Sequence, residues 1–318
     1  MRRAQWLPLL ALPLALGALP TGAQPTAASG AEATVLLFHP LDQVDPFGIQ
    51  FGDGDPFSAR YAAVAAQTGQ FDYPVFVADG LRPIQALPDA EKPYQGTLDA
   101  YEAAVTARPD AAALTLTLAT QKSGPQALLR VDVLPHAPIQ ESQGQALHLH
   151  VALAEDPVHY RPPAPVSNGV VDHRFTVRAY RDLGSIDLEA PGNFTAAIPL
   201  DAGWQADHLL AAAWVQADGT PGRFAPTEVL QATHAPLGGT VRQEAKGVLV
   251  EVYSATWCTP CLYGDLAAEQ VAIRHAGAQP LPEPAARYFE APPQPLLAVA
   301  SAALVALAVA FLPRGGRQ

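Results

Sequence analysis

Short runs of alternating apolar and polar residues most limit what this chain can fold into. Residues 114–118 alternate leucine with threonine, and residues 147–153 alternate leucine and valine with histidine and alanine. A period of two puts successive side chains on opposite faces of a sheet, so such runs are typical of strands. Further strand-like runs, separated by Pro, Gly and Asn, are 128–133, 174–180, 194–200, 209–216 and, more weakly, 228–233. We predict an all-β antiparallel sandwich over residues 110–238.

Residues 31–109 have a different pattern, in which strand-like and helix-like runs alternate. The apolar run at 33–39 is nearly continuous, as in a strand that is buried on both faces. Apolar residues then recur at helical spacing over 57–65, and a second strand is predicted at 71–79. Asp79-Gly80 predicts a tight hairpin into residues 81–87. A further helix is predicted over 96–107.

The two cysteines of this 318-residue chain, Cys258 and Cys261, are separated by two residues. They lie between a strand-like run, 247–253, and a helix-like run, 262–275. Partial positive charge at the helix N-terminus favours the thiolate of Cys258, and Cys261 is placed to attack a mixed disulfide formed there. The spacing predicts a redox-active pair. A structural disulfide is the alternative, although a bridge over so short a loop adds little stability.

The strand and helix around the cysteines, within residues 239–277, need a partner to fold. About thirty residues bury too little apolar surface to be stable alone. Residues 31–109 lack one strand and one helix of a complete α/β unit. We therefore expect the two stretches to assemble side by side in one sheet.

Joined, the two stretches have an order of elements that resembles a thioredoxin fold, and residues 257–261 resemble its active-site motif. This resemblance implies an α/β thioredoxin-like domain, circularly permuted and split around the sandwich. Exchange of the C-terminal unit between two chains is the alternative. Residues 151–160 and 172–180 are also similar to the β-domain of secreted, outer-membrane-protein-related thioredoxin-like proteins.

The resemblance also implies residues that support the cysteines. Trp257 and Pro260 belong to the motif itself. The family carries a cis proline that faces the cysteines, and Tyr73-Pro74 occupies the corresponding place; an ordinary trans proline at a strand start is the alternative. Glu251 lies near the place of a buried acid that assists proton movement at the resolving thiol, or it faces solvent from an edge strand.

The two ends of the sequence predict export and anchoring. Residues 1–23 combine a basic start, a short apolar run and small residues, as in a signal peptide; an uncleaved anchor is the alternative. Residues 278–295 are a proline-rich stalk. Residues 296–312 carry no charge and reach about 25 Å as a helix, which predicts a transmembrane helix before a cytoplasmic tail, 313–318. A cleaved sorting tail or a packed helix would explain residues 296–312 as well.

Charge and histidine content narrow the choice of partners and cofactors. The net charge is −11 and no basic stripe is visible, so nucleic acid is a poor partner. His148, His150, His159 and His173 suggest a metal site, but an exposed polar strand face explains them equally, and no metal or other cofactor is predicted.

Three functions are compatible with these patterns. We predict a membrane-anchored, extracytoplasmic thiol–disulfide oxidoreductase that exchanges with the thiols and disulfides of exported proteins or of a redox partner protein. A cell-surface binding or structural module with an inert disulfide is the alternative from another class. A third possibility is a relay of electrons from a membrane donor to a partner protein. The direction of the reaction does not follow from the sequence.

Overall fold

The computed structural model describes residues 28–29, 32–38, 60, 64, 75–81, 84–85, 92–107, 111–139, 144–160, 172–255, 258 and 261–278. These residues form mostly β-strand. The strands belong to two large sheets and one small ribbon, and the described part of the chain adds two α-helices and a short 3₁₀ turn, Ala206–His208.

The smaller of the two large sheets has five strands. Its spatial order is β1 (Ala28–Ser29), β14 (Thr240–Gln243), β5 (Leu114–Ser123), β6 (Gln126–Pro135) and β11 (Gly192–Pro199). The long pairings β5–β6 and β6–β11 are antiparallel. Buried and exposed residues alternate along β6, as expected of a sheet that covers a core with one face only.

The larger sheet has eight strands. A separate two-stranded ribbon, β8 (Val158–His159) and β9 (Asp172–His173), lies between its strands β7 and β10 in the chain order. The spatial order of the eight strands is β13 (Val229–Pro236), β12 (Leu209–Ala217), β7 (Leu147–Glu155), β10 (Thr176–Ser185), β2 (Ala33–Phe38), β15 (Val248–Tyr253), β3 (Val75–Ala78) and β4 (Ile84–Gln85). β2 and β15 are parallel, whereas β3 runs antiparallel to β15.

One face of the eight-stranded sheet is covered in two halves. Alternate residues of β7 and β12, such as Leu149, Val151 and Ala213, pack against the five-stranded sheet. Beyond β10, this face is covered by two helices, α1 (Pro93–Thr106) and α2 (Cys261–His275), which pack on β2, β15 and β3. The first turn of α1 begins with a proline, whose fixed φ suits that position.

The eight-stranded sheet is strongly curved, so that its opposite face encloses a core of its own. Edge strand β13 contacts the other half of the sheet. Thr34 Oγ1 of β2 lies 3.2 Å from His234 Nδ1 of β13, and the Val229 amide of β13 donates to the carbonyl of Asp79, the residue after β3, at 2.9 Å. Large side chains fill the enclosed space, among them Trp214, Tyr253 and Phe38. The sheet therefore has an enclosed inner face and an outer face that the second sheet and the helices cover.

The predicted fold class is wrong. Residues 33–38 and 248–253 do share a sheet, with Val250 opposite Val35, but that sheet does not end there. Leu37 pairs with Thr176 of β10, and the Leu37 amide donates to the Phe175 carbonyl at 2.9 Å. The described residues show no α/β thioredoxin fold, because the strands assigned to it continue a sheet of the sandwich and this part of the chain is mainly β.

The predicted membrane anchoring is also wrong for the described part of the chain. None of its helices is both long enough and apolar enough to cross a bilayer. The segments on which export and anchoring were predicted, residues 1–23 and 296–312, lie outside the described residues, as do the stalk from residue 279 onward and the tail 313–318. The structure therefore shows no anchor.

Candidate functional site

The cysteine pair lies where β15 gives way to α2. β15 ends at Tyr253, and the amide of Cys258 then donates to the carbonyl of Ala255 at 3.1 Å. The amide of Cys261 in turn donates to the Cys258 carbonyl at 3.0 Å, and Cys261 is the first residue of the helix. These two backbone hydrogen bonds hold Cys258 and Cys261 at the helix N-terminus, where their sulfurs form a disulfide.

The distribution of charged side chains along α2 makes the N-terminus of the helix favourable to an anion. No acidic side chain lies in the first turn, whereas Arg274 and His275 lie in the last turn. The partial positive charge of the helix N-terminus therefore acts on the cysteines, and no acidic side chain of the first turn offsets it. Once the disulfide is reduced, this environment lowers the free energy of a thiolate at Cys258.

The two sulfurs differ in their access to solvent. Cys258 is 6% exposed, whereas Cys261 is fully buried, and both pack with Ala255 in a small apolar cluster. Of the two residues, only Cys258 retains contact with solvent, so a partner molecule would meet it first. This asymmetry matches the predicted roles of an attacking and a resolving thiol.

Four of the predicted supporting residues, Trp257, Pro260, Tyr73 and Pro74, lie outside the described residues. The strand that follows Pro74 is described. Val75, the first residue of β3, pairs with Tyr253, the last residue of β15. The start of β3 therefore lies beside the end of β15 that leads to the cysteines.

Glu251 lies on the inner face of the sheet. Its neighbours two residues away, Leu249 and Tyr253, belong to the enclosed core, whereas Val250 and Val252 pack under the helices. The Arg60 guanidinium donates to both carboxylate oxygens of Glu251, from Nε at 2.6 Å and from Nη2 at 2.9 Å. The structure therefore does not bring Glu251 to the outer face on which α2 and the cysteines lie.

The environment of Arg60 explains how a charge is held in this core. Arg60 Nη2 also donates to Gln216 Oε1 at 2.7 Å, and the guanidinium lies over the rings of Trp214 and Tyr180. Burial acts to lower the pKa of Arg60, but the Glu251 carboxylate outweighs it, so the pKa stands above its ordinary value. Arg60 stays charged, and Glu251 serves as its counter-ion.

Asp265 is a candidate site residue that our sequence analysis did not identify. It follows Cys261 by four residues on α2, and its Oδ1 atom is buried. Side chains four residues apart lie on the same helix face. The spacing to Cys261 was visible in the sequence, but only the structure shows that Asp265 faces the sheet and lines a cavity there with Val35, Leu37 and Val252.

The histidines take different places. His148 and His150 share the inner face of the sheet, where His150 Nδ1 lies 2.9 Å from the Tyr180 hydroxyl and the His150 ring stacks on Trp214. Burial lowers the pKa of His150 to about 3, so this ring is neutral. His159 lies 2.7 Å from Asp172. Within the described residues, no three or more His, Cys, Asp or Glu side chains form a group with metal-binding geometry.

Comparisons with known proteins assign no family. The chain matches no family model and no curated protein. It is similar to the structure of HBP35 of Porphyromonas gingivalis, with 14% identity, a TM-score of 0.40, and coverage of 57% of this chain and 58% of that one. It is also similar to a DUF3823 family protein from Bacteroides ovatus, with 13% identity, a TM-score of 0.23, and coverage of 41% and 55%.

These findings overturn the resemblance to thioredoxin-like proteins. The chain spans little more than half the length of either solved structure, and the low TM-scores leave both likenesses without weight for fold or function. No family model supports the five-residue match at 257–261. The assignment to the thioredoxin-like superfamily is therefore wrong, and the cysteine chemistry has to be argued from the local geometry alone.

Proposed function

We propose that this protein is a thiol–disulfide oxidoreductase whose reactive centre is the Cys258–Cys261 pair. The observation that carries the proposal is the disulfide at the N-terminus of the 15-residue helix α2, with Cys258 in partial contact with solvent and Cys261 enclosed. A helix N-terminus stabilises the thiolate that such chemistry requires.

The reaction exchanges two electrons and two protons between the pair and a dithiol. A thiolate of the partner attacks Sγ of Cys258, the Cys258–Cys261 bond breaks, and Cys261 leaves as a thiolate that takes up a proton. The second thiolate of the partner then attacks the mixed disulfide and releases Cys258, so the partner is oxidised and the pair is reduced. The reverse sequence reduces a partner disulfide through attack by Cys258 and resolution by Cys261.

The proposed partners are proteins that carry thiols or disulfides, including a redox protein that resets the pair. The relative potentials of the pair and its partner decide the direction. A relay function would restrict the partners to a few proteins, whereas a general reductase or oxidase would act on many.

Reactivity of the reduced pair tests the proposal. The protein is reduced with dithiothreitol and freed of it, and alkylation by iodoacetamide is then followed against pH. We expect Cys258 to titrate below the ordinary thiol pKa of about 8.5. Catalytic amounts should also accelerate the reduction of insulin by dithiothreitol, and Cys258→Ser should abolish that acceleration. An ordinary thiol pKa together with no insulin reduction would refute the proposal.

Substitution of the resolving residue gives a second measurement. In Cys261→Ala, no second cysteine of the protein can resolve a mixed disulfide at Cys258. Covalent complexes with partner proteins should therefore accumulate, and dithiothreitol should cleave them. Cys258→Ala is the matched control and should capture nothing. Capture of one dominant protein would favour a relay, and capture of many would favour a general oxidoreductase.

A binding or structural module with an inert disulfide is the second candidate. The near-complete enclosure of both sulfurs favours it, as does the share of the described chain that belongs to the two large sheets. This function predicts that the disulfide resists dithiothreitol in the folded protein. The alkylation and insulin measurements therefore separate the two candidates.

A further inference from the structure

One edge of the five-stranded sheet is formed by β11. Among the residues that the structure describes, β11 pairs on one side only, with β6. The strand at the other end of this sheet, β1, has two residues, whereas β11 has eight. A long edge strand offers a row of unpaired backbone N–H and C=O groups to a further strand.

The edges of the eight-stranded sheet are better protected. β4 at one edge has two residues. At the other edge, the Val229 carbonyl of β13 accepts a hydrogen bond from Lys246 Nζ at 2.9 Å, and Gln231 Oε1 accepts one from the Gly247 amide at 2.6 Å. Charged side chains are a common protection of edge strands, but β11 carries none along its length. β11 is therefore the edge best suited to pair with another strand.

The hydrogen-bond pattern shows which residues of β11 face this edge. The Leu200 amide donates to the Pro125 carbonyl at 2.8 Å, in the same antiparallel register as the strand pairs. Hydrogen-bonded pairs alternate along an antiparallel ladder, so Leu200 and every second residue before it bind β6. Asn193, Thr195 and Ala197 therefore point their N–H and C=O groups away from β6, and all three residues are exposed.

Two prolines bound this edge symmetrically. Pro191 precedes the strand and Pro199 ends it, each four residues from Thr195. Both belong to the alternate residues that face away from β6, and neither has an N–H to donate. If a second β11 runs antiparallel with Thr195 opposite Thr195, each proline lies opposite the other, and every N–H and C=O group between them finds a partner. A shift by two residues places Pro191 opposite Ala197, whose carbonyl then lacks a donor.

The side chains of this register contain no charge conflict. Asn193 lies opposite Ala197, and Thr195 lies opposite its own copy, where threonine pairs are favourable. Arg130 is the neighbour of Thr195 on β6 and is paired with Asp132. The Arg130 residues of two copies lie three strand spacings apart, about 14 Å, where salt screens their repulsion. The edge is thus self-complementary, as a two-fold symmetric interface requires.

We propose that two copies of this chain associate through β11, with the strands antiparallel and Thr195 on the two-fold axis. The two five-stranded sheets then form one continuous sheet across the dimer. One pair of strands buries less area than the interface of a permanent dimer, so backbone hydrogen bonds hold the contact and the dimer forms reversibly. This association is independent of the cysteine chemistry.

Introduced cysteines test the register. In Thr195→Cys, the two substituted residues face each other with about 5.5 Å between their Cα atoms, which a disulfide can bridge. Mild oxidation should give a covalent dimer on a non-reducing gel. Ala197→Cys is the matched control, because its two copies lie about 14 Å apart and should not cross-link. A mixture of Ala197→Cys with Asn193→Cys should cross-link, since these two residues are opposite each other.

Sedimentation velocity tests the association without a cross-link. Between about 1 and 200 µM we expect the wild-type protein to pass from monomer to dimer. Thr195→Lys and Thr195→Glu each place like charges opposite each other and should stay monomeric, whereas their equimolar mixture should dimerise. Neither change removes a hydrogen bond to β6. Gln121→Lys adds the same charge at an exposed position of β5, inside the sheet, and should dimerise as the wild-type protein does.

Three results would overturn the proposal. The first is a wild-type protein that stays monomeric at every concentration while Thr195→Cys forms no cross-link. The second is a dimer that persists undiminished in both Thr195→Lys and Thr195→Glu, because it would form through another surface. The third is cross-linking of Ala197→Cys alone that is as complete as that of Thr195→Cys, because the strands would then pair in a different register.

Discussion

Glu251 and Asp265 are two carboxylates on opposite faces of the eight-stranded sheet, and Glu251 is the one that is fully buried. Glu251 faces the interior of the curled sheet, where it accepts two hydrogen bonds from Arg60 and a third from the Tyr253 hydroxyl at 3.2 Å. Asp265 faces the outer side of the same sheet from α2, beside a cavity large enough for water. A carboxylate that is held by a fixed cation partner in the core has a structural role, and the ion pair with Arg60 gives Glu251 that role.

Removal of the Glu251 charge should destabilise the protein without altering its thiol chemistry. Glu251→Gln leaves the Arg60 guanidinium charged and uncompensated in the core, where Arg60 is 2% exposed. Breaking such a pair costs about 3–5 kcal/mol of unfolding free energy. Urea unfolding followed by circular dichroism measures the loss, and the reduction of insulin by the folded variant should proceed at the wild-type rate.

An exposed ion pair provides the control for this experiment. Arg242 and Glu244 lie 2.7 Å apart, but both side chains are largely exposed. Glu244→Gln should leave the urea midpoint unchanged, since exposed pairs contribute little. Slower insulin reduction by Glu251→Gln together with an unchanged urea midpoint would instead show that Glu251 has the proton-transfer role that the sequence predicted for it.

At the scale of elements, the last turn of α2 is tied to α1 and to the residue before β2. His275 Nδ1 lies 2.9 Å from a Glu32 oxygen, and His275 Nε2 lies 2.7 Å from Glu102 Oε2. Partial burial acts to lower the pKa of His275, but the hydrogen bonds to Glu32 and Glu102 outweigh it and raise this pKa. The charged ring therefore stabilises the packing of the helix that carries the cysteines.

The raised pKa of His275 predicts how stability depends on pH. The stabilisation is fully present below the unfolded-state pKa of about 6.5, and it is lost as the pH rises through the higher folded-state pKa. His275→Gln should therefore lower the urea midpoint at about pH 5 and have a much smaller effect at about pH 9. His159→Gln, which alters a largely exposed His–Asp contact, is the control. An equal effect of His275→Gln at both pH values would contradict the assignment.

Local elements were predictable because their signals are local. The alternating runs became β5, β6, β7 and β12, and Asp79-Gly80 forms the predicted hairpin with positive φ at both residues. The cysteine pair and its helix were equally visible, since strand, motif and helix follow one another. These parts of the prediction depend on neighbours within about ten residues.

The pairing of β2 with β15 was expected although the two strands are far apart in sequence, but the pairing of β10 with β2 was not predictable in the same way. Nothing in the sequence of β10 shows that its edge pairs with β2, because a strand can continue a sheet with any partner of suitable length and pattern. The partner of Glu251 was missed for a similar reason, since Arg60 is 191 residues away in sequence. These two non-local contacts explain why the predicted fold class was wrong and why Glu251 was expected at the thiol.

At the scale of the whole molecule, the continuous eight-stranded sheet joins the cysteine region to the sandwich. β10 pairs with β2 on one side and with β7 on the other. Lys246 and Asp79 form a further buried link at 2.8 Å, and Lys246 Nζ donates to the Val229 carbonyl of β13 at 2.9 Å. We therefore expect the described chain to unfold as one cooperative unit and not as an α/β domain beside a sandwich.

Substitution of one residue in the core that the curved sheet encloses tests this cooperativity. Leu249 of β15 is fully buried, and Leu249→Ala should lower the unfolding free energy by about 2–5 kcal/mol. If the sheet is one unit, amide hydrogen exchange should show the same loss of protection in β7 and β12 as in β2 and β15, because all four open together. Leu129→Ala removes a buried side chain from the five-stranded sheet, and it should likewise lower amide protection equally in β7, β12, β2 and β15. Loss of protection confined to β2, β3 and β15 in Leu249→Ala, with β7 and β12 unaffected, would instead show that the cysteine region opens as a separate unit.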